Sequence, residues 1–177
     1  MNRKSTMDEL NRLSIDEFKQ AEKAPIILVL DNIRSLLNIG SIFRTADAFR
    51  VAHIHLSGIT AQPPHRDIQK TALGATETVS WSHISDTIEC CQSLKKDGYQ
   101  LLALEQTTES IDITDWSAAE DEKVALVIGN EVDGVQEEVI QICDKSLEIA
   151  QYGSKHSLNV AVSTGIAIHA IYQLLKV

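Results

Sequence analysis

The chain has 177 residues, 44% of them hydrophobic, and a formal net charge of −9. That length suits one domain with its own core, the acidity argues against nonspecific binding to nucleic acid, and no apolar run is long enough to span a bilayer. No signal-peptide pattern opens the sequence, and adjacent Cys90 and Cys91 plus Cys143 form neither a disulfide framework nor a metal-ligand spacing, so reduced thiols and a cytoplasmic location are expected.

In chain order, residues 1–24 read as an N-terminal helical arm ahead of one domain over residues 25–177. Thr6 with Glu9 and Ser14 with Glu17 have capping-box spacing. Arg3, Lys4, Arg12, Lys19 and Lys23 either solvate this arm or offer it to a polyanion. The run IILVLD predicts a buried strand, NIRSLLNIG a turn, residues 41–49 a helix and HIHLSGI a second strand. TAQPPHRDIQK, with its two prolines, reads as a surface loop carrying His65, Arg66 and Lys70. A short strand near residues 79–81 precedes a helix over 84–96, which Asp97-Gly98 ends as a glycine C-cap. Then come a strand in YQLLALEQ, an acidic connection over 107–122, a strand over 124–130, a helix over 135–143 and a strand in LEIA. After a loop in which Gly153 supplies backbone freedom, a helix capped by Ser157 runs to about residue 175. Leu158, Val160, Val162, Ile166, Ile168 and Ile171 leave that helix hardly any polar face. It should be buried all round, by a wrapped chain or by a second subunit.

Strands alternating with helices predict an α/β fold, a mostly parallel sheet flanked by helices. No GxGxxG or Walker A sequence is present, which disfavours a standard dinucleotide fold or P-loop NTPase. Ligands of such sheets sit beyond the carboxyl ends of the strands, here residues 104–107, 129–131 and 149–158. Charge is uneven. Residues 1–70 carry ten Lys/Arg against eight Asp/Glu, residues 71–177 six against seventeen, so the front end can still present a basic face to RNA. The six histidines show no ligand pattern and no metal is expected; His169 reads as a buried core or dimer-contact residue.

Three segments then align: Asn38-Ile-Gly40-Ser-Ile-Phe-Arg44, Gly129-Asn130-Glu131 with Gly134, and Ile149 followed by Gly153 and Ser157-Leu158-Asn159-Val160. In this order, across about residues 26–172, the sequence resembles the SpoU (TrmH-like) RNA ribose 2′-O-methyltransferases of the SPOUT superfamily. The resemblance implies a deep C-terminal trefoil knot, a homodimer, and S-adenosylmethionine held largely by backbone groups at Leu104, Glu105, Gly129, Ile149, Ser157 and Leu158. It also implies a catalytic set of Arg44, Asn38, Glu131, Ser157 and Asn159. Arg66, Lys70 and Lys155, in polar loops, either meet RNA phosphates or are simply solvated. Gly129 suits a close backbone approach to the ligand.

A guanidinium has no lone pair to act as a base. Arg44 is therefore expected to stabilise developing alkoxide charge and grip the adjacent phosphate, with that phosphate or water taking the proton. Asn38 is expected to hold Arg44 and the substrate. Glu131, costly to bury unpaired, should accept hydrogen bonds that organise Asn38, Arg44 or an amide of the third segment. Three positions depart from the family pattern: Arg50 for glycine, Ala150 for proline and Ser163 for alanine. They are expected to alter packing or RNA contacts only. The reading is a methyltransferase acting on structured RNA, tRNA ahead of rRNA. Its rivals are a catalytically weak RNA-binding member of the same fold and a small-molecule α/β enzyme using another nucleotide.

Overall fold

Two apolar runs set the frame. The computed structural model describes residues 2–6 and 8–175, and in it β1 (Ala24–Asp31) and β6 (Val124–Ile128) lie side by side in parallel, Ile26 opposite Val124 through to Leu30 opposite Ile128. Apart from Pro25, every residue of the two strands is buried. Burial on both faces is what a continuous apolar run allows and an alternating strand does not. Around this pair lie β2 (Val51–Ser57), β3 (Trp81–Ile84), β4 (Gln100–Leu104), β5 (Ile111–Asp112) and β7 (Lys145–Glu148). The sheet order is β3-β2-β1-β6-β4-β7-β5, with every neighbouring pair parallel.

The helices are α1 (Ile15–Gln20), α2 (Leu36–Ala48), α3 (Arg66–Ala72), α4 (Ala75–Thr78), α5 (Thr87–Lys96), α6 (Glu137–Ile140) and α7 (Val160–Leu174). Strand alternation sorts them into two layers. Ile26, Leu28 and Leu30 pack with Ile39, Ile42 and Phe43 of α2 and Ala167, Ile168 and Ile171 of α7. Ile27 and Val29 face the other way, onto Cys90, Cys91 and Leu94 of α5 and Val139 of α6. Among the described residues no helix is long and apolar enough to cross a membrane.

Several ends form as local chemistry dictates. Ser14 and Glu17 make a full capping box at α1, and the Thr6 and Glu9 amide groups and side chains bond reciprocally at a 3-10 turn over Asp8–Leu10. Gly98, at φ +82°, closes α5: its N–H donates to the Lys95 carbonyl at 3.1 Å and the Tyr99 N–H to Leu94 at 3.0 Å.

Elsewhere packing overrides the sequence pattern. Helix α2 starts at Leu36, capped by Ser35, so residues 36–40 are helix where a turn is expected. Gly40 sits inside it because a Cβ there would stand 2.2 Å from both the Ile68 carbonyl and the Thr71 hydroxyl. That close approach is where α3 docks, in a segment that reads as loop. The acidic connection contains β5 and a short 3-10 turn, and α6 is shorter than expected. The last helix begins at Val160 under an Asn159 cap, leaving Ser157 outside it and exposed. Nor is that helix buried all round: Val162 is 53% and Ile166 40% exposed, and His169 is exposed as well. Gly153 does not use a positive φ, whereas Arg50 does, at +49°. The Arg50 amide donates back to Asp47 and its carbonyl accepts from Ala24, so this left-handed residue turns α2 into β2. Glycine fits such a backbone more easily, which gives the Arg50 departure a physical meaning.

Candidate active site

The carboxyl ends of β4, β6 and β7 open into one cavity of about 400 Å³. Its lining includes Leu104, Glu105, Gly129, Ile149, Ser157 and Leu158, together with Glu131, Asn159 and Ser163. Segments far apart in sequence thus share one wall. Ser163 therefore faces the cavity, where only a packing or RNA effect was expected of it.

At the edge of the cavity three side chains form a directed hydrogen-bond chain. The Asn159 side-chain oxygen accepts the amides of Ala161 (3.0 Å) and Val162 (3.3 Å), capping α7. Its Nδ2 is left to donate to Asn38 Oδ1 at 3.1 Å, and Asn38 Nδ2 donates to Glu131 Oε1 at 3.1 Å. Backbone donors fix one end of the chain and a carboxylate the other, so neither carboxamide can be turned over without losing bonds. Glu131 also accepts the amides of Ser35 (2.9 Å, Oε1) and Arg34 (3.0 Å, Oε2). Burial pushes its carboxyl up, but these two amides, its own amide and Asn38 together outweigh it and hold the group below the ordinary glutamate value. Glu131 is therefore a carboxylate that ties the entry of α2 to the end of β6. It does not begin the following helix, which starts only at Glu137.

A second network lies behind the first. Asp31, fully buried at the end of β1, accepts from Asn32 Nδ2 (2.9 Å), the Thr87 hydroxyl (2.7 Å), Gln136 Nε2 (2.7 Å) and the Gln136 amide (3.1 Å). The Asn130 side chain donates to the Asn32 carbonyl at 2.7 Å and accepts the amides of Val132 (2.8 Å) and Asp133 (3.2 Å). Asn130 and Gly134 pair their backbones in both directions, at 2.9 and 3.0 Å. Gly129 is explained by this turn. A Cβ there would stand 2.1 Å from the Gly134 carbonyl carbon and the Val135 nitrogen, so the close approach it permits is to its own chain. Glu105 closes the turn from β4, accepting the Val135 amide at 3.1 Å and the Gln106 amide at 2.9 Å. Asp31 carried a signal in the sequence, a carboxylate ending an apolar run; its three partner residues did not.

Arg44 stands apart. It is exposed on α2 and lines no part of the cavity; Asn38 does not bond it, contrary to expectation, and bonds instead to Glu131, one of whose expected partners was Asn38. Arg66 begins α3, Lys70 is paired with Asp67 at 2.6 Å, and Lys155 is exposed in the loop before α7. His169 meets the Phe49 ring edge-on at 5.8 Å. Among the described residues no group of three or more His, Cys, Asp or Glu is placed to hold a metal ion.

Known proteins resemble this chain in sequence and in fold. The rRNA (guanosine-2′-O-)-methyltransferase RlmB of Vibrio parahaemolyticus is 30% identical over 161 residues, covering 90% of this chain and 64% of that protein. The tRNA (guanosine(18)-2′-O)-methyltransferase of Aquifex aeolicus is 29% identical over 156 residues, covering 86% and 71%. The chain thus spans a little under two thirds of the RlmB relative. Among solved structures, the TrmH/SpoU tRNA modifying enzyme of A. aeolicus superposes with a TM-score of 0.79 at 26% identity, covering 90% of this chain and 79% of that one. An AdoMet-bound rRNA methyltransferase from Sinorhizobium meliloti gives 0.79 at 25% identity, covering 88% and 59%. The model of the SpoU rRNA Methylase family matches residues 25–169, the sheet, the cavity and most of α7 included, and the chain belongs to that family.

Proposed function

We propose that this protein transfers a methyl group from S-adenosylmethionine to a ribose 2′-hydroxyl of structured RNA, with tRNA the first substrate to try. The observation that carries the reading is the Asn159–Asn38–Glu131 chain at the edge of a strand-end cavity. Support for the chemistry comes from relatives whose names specify 2′-O-methylation of guanosine in rRNA and tRNA, and from the AdoMet-bound neighbour.

The residues present fit the cofactor. A cavity of about 400 Å³ falls within the range of small-molecule sites. Glu105, Glu131 and Glu148 line it and, among the described residues, no Lys or Arg does, a field that favours a cationic sulfonium and ammonium. Leu104, Ile149 and Leu158 supply apolar walls, and the backbone at Gly129 and in the loop before α7 supplies hydrogen-bonding groups. S-adenosylmethionine brings an electrophilic methyl carbon, and the chain must align a hydroxyl with it and stabilise the oxygen's developing charge. Asn38 and Asn159, held by Glu131 and the α7 amides, position that hydroxyl; Arg44 stabilises the alkoxide and grips the adjacent phosphate.

Because Arg44 does not reach the cavity within one chain, the reading includes a homodimer. Leu37 of α2 is 50% exposed, and with Val162 and Ile166 of α7 it offers an apolar face on the two helices, which pack together. Arg44 lies on the exposed side of α2, within reach of a second copy seated there. The reading also includes the trefoil knot, supported by β6 lying between β1 and β4 while β7 lies beyond β4 and α7 returns to α2.

The test is to incubate the purified protein with methyl-labelled S-adenosylmethionine and total tRNA or rRNA, digest the RNA and map the product. A 2′-O-methylated nucleotide is the expected result. Labelled base, or no cofactor binding by calorimetry, overturns the reading.

A further inference from the structure

The cavity is acidic, yet its proposed substrate is a polyanion. Among the described residues none of those lining it is Lys or Arg, so the phosphates flanking a target ribose must be met by cations outside it. Arg34 is one that the motifs do not mark. Its backbone is fixed by the same carboxylate that organises the site, through the amide bond to Glu131 Oε2 at 3.0 Å. Its side chain is loosely held: the guanidinium lies 3.8 Å from Asp133, with side-chain exposures of 59% and 72%. Asp133 is fixed in turn, its amide bonded to Asn130 Oδ1 at 3.2 Å, in the turn between cavity-lining Val132 and Gly134. Two rigid backbones therefore present an exposed, long ion pair beside the site. Such a pair contributes at most about 1 kcal/mol, whereas a guanidinium fork can bind a phosphate through two charge-assisted hydrogen bonds.

We propose that Arg34 binds a phosphate of the RNA beside the target ribose, and that Asp133 is its resident competitor, holding the guanidinium until RNA displaces it. The proposal rests on the methyltransferase reading and names one contact by which the site takes RNA. Phosphate contacts carry no sequence information, so Arg34 would add affinity for RNA of any sequence and leave alignment of the ribose to Asn38 and Asn159.

The experiment compares parent, Arg34→Ala, Arg34→Lys, Asp133→Asn and the Arg34→Ala/Asp133→Asn double variant. Each is assayed for RNA affinity by fluorescence anisotropy across a salt series, for KM and kcat of methylation, for S-adenosylmethionine binding and for thermal midpoint. Arg34→Ala keeps the backbone amide on which Glu131 depends, so fold and cofactor affinity should hold. RNA affinity should fall about tenfold and the salt slope by about one, with KM rising and kcat nearly unchanged. Lysine should restore part of the loss. Asp133→Asn should tighten RNA two- to threefold, roughly the worth of a weak exposed pair, and that gain should vanish in the double variant. Unchanged RNA affinity in Arg34→Ala, or a gain that survives in the double variant, overturns the proposal. A parent that binds RNA through Arg34 but methylates none overturns the proposed function and leaves this contact standing. A parent that binds no RNA overturns both.

Discussion

The turn from β1 into α2 and the loop from β7 into α7 meet at a single hydrogen bond, Asn159 to Asn38, and they are built on opposite principles. The turn is over-determined. Asp31 accepts four donors, Asn32 takes the Ile59 amide at 3.0 Å, and Arg34 and Ser35 hang on Glu131. The loop is open: residues 152–159 are all exposed, and among the described residues 151–158 make no hydrogen bond until Asn159 begins the helix. One side of the site is therefore set before any ligand arrives, while the other carries free amides for a ligand to order.

The largest effect should come from cutting the rigid side. Glu131→Ala removes the acceptor of two amides and of Asn38, costing about 2 kcal/mol in urea unfolding and at least about a hundredfold in kcat; near-normal turnover would remove Glu131 from the site. The pH sign follows from the same bonds. A carboxyl held below its ordinary value in the fold contributes stability that is present above 4.5 and lost as pH falls through the folded value. Glu131→Gln should flatten the fall in thermal midpoint on acidification below that point.

A pair of glycine substitutions sharpens the contrast. Gly129→Ala drives a Cβ to 2.1 Å from the Gly134–Val135 backbone, and should cost about 1–3 kcal/mol and weaken cofactor binding by calorimetry. Gly153→Ala meets nothing within 4 Å and should change stability by less than about 0.5 kcal/mol. Equal effects would erase the distinction between turn and loop. Hydrogen exchange measures it directly: S-adenosylmethionine should slow exchange in residues 151–158 and leave residues 31–35 nearly as protected as before. Arg50→Gly, the one expected gain, relieves a left-handed arginine at φ +49° and should raise stability by about 0.5–1 kcal/mol, the steric relief exceeding the added chain entropy.

What was legible in the sequence was local. Apolar runs gave the central strands, capping boxes gave Ser14 and Thr6, and the Gly98 stop read correctly because each of these signals lies within a few residues of its effect. The strand ends that open into the cavity followed from the α/β pattern. The start of α2 reads as a turn because the packing that fixes Gly40 inside it, α3 lying on α2, is made by residues 28 to 31 positions away. Arg50 gave no sign of its backbone, and the apolar composition of α7 did not show that Val162 and Ile166 would face outward.

The order of the central strands and the caps at Ser14 and Thr6 were properties of the sequence alone, since periodicity and capping act over one or two turns of chain. The tertiary structure decided that β6 enters between β1 and β4, and so brought Glu131 to Asn38 across 93 residues and Asn159 to Asn38 across 121. It also left Arg44 outside the cavity. Hydrogen bonds of that reach exist only once sheet order has placed their partners together, because nothing in the intervening residues records the distance between them in space.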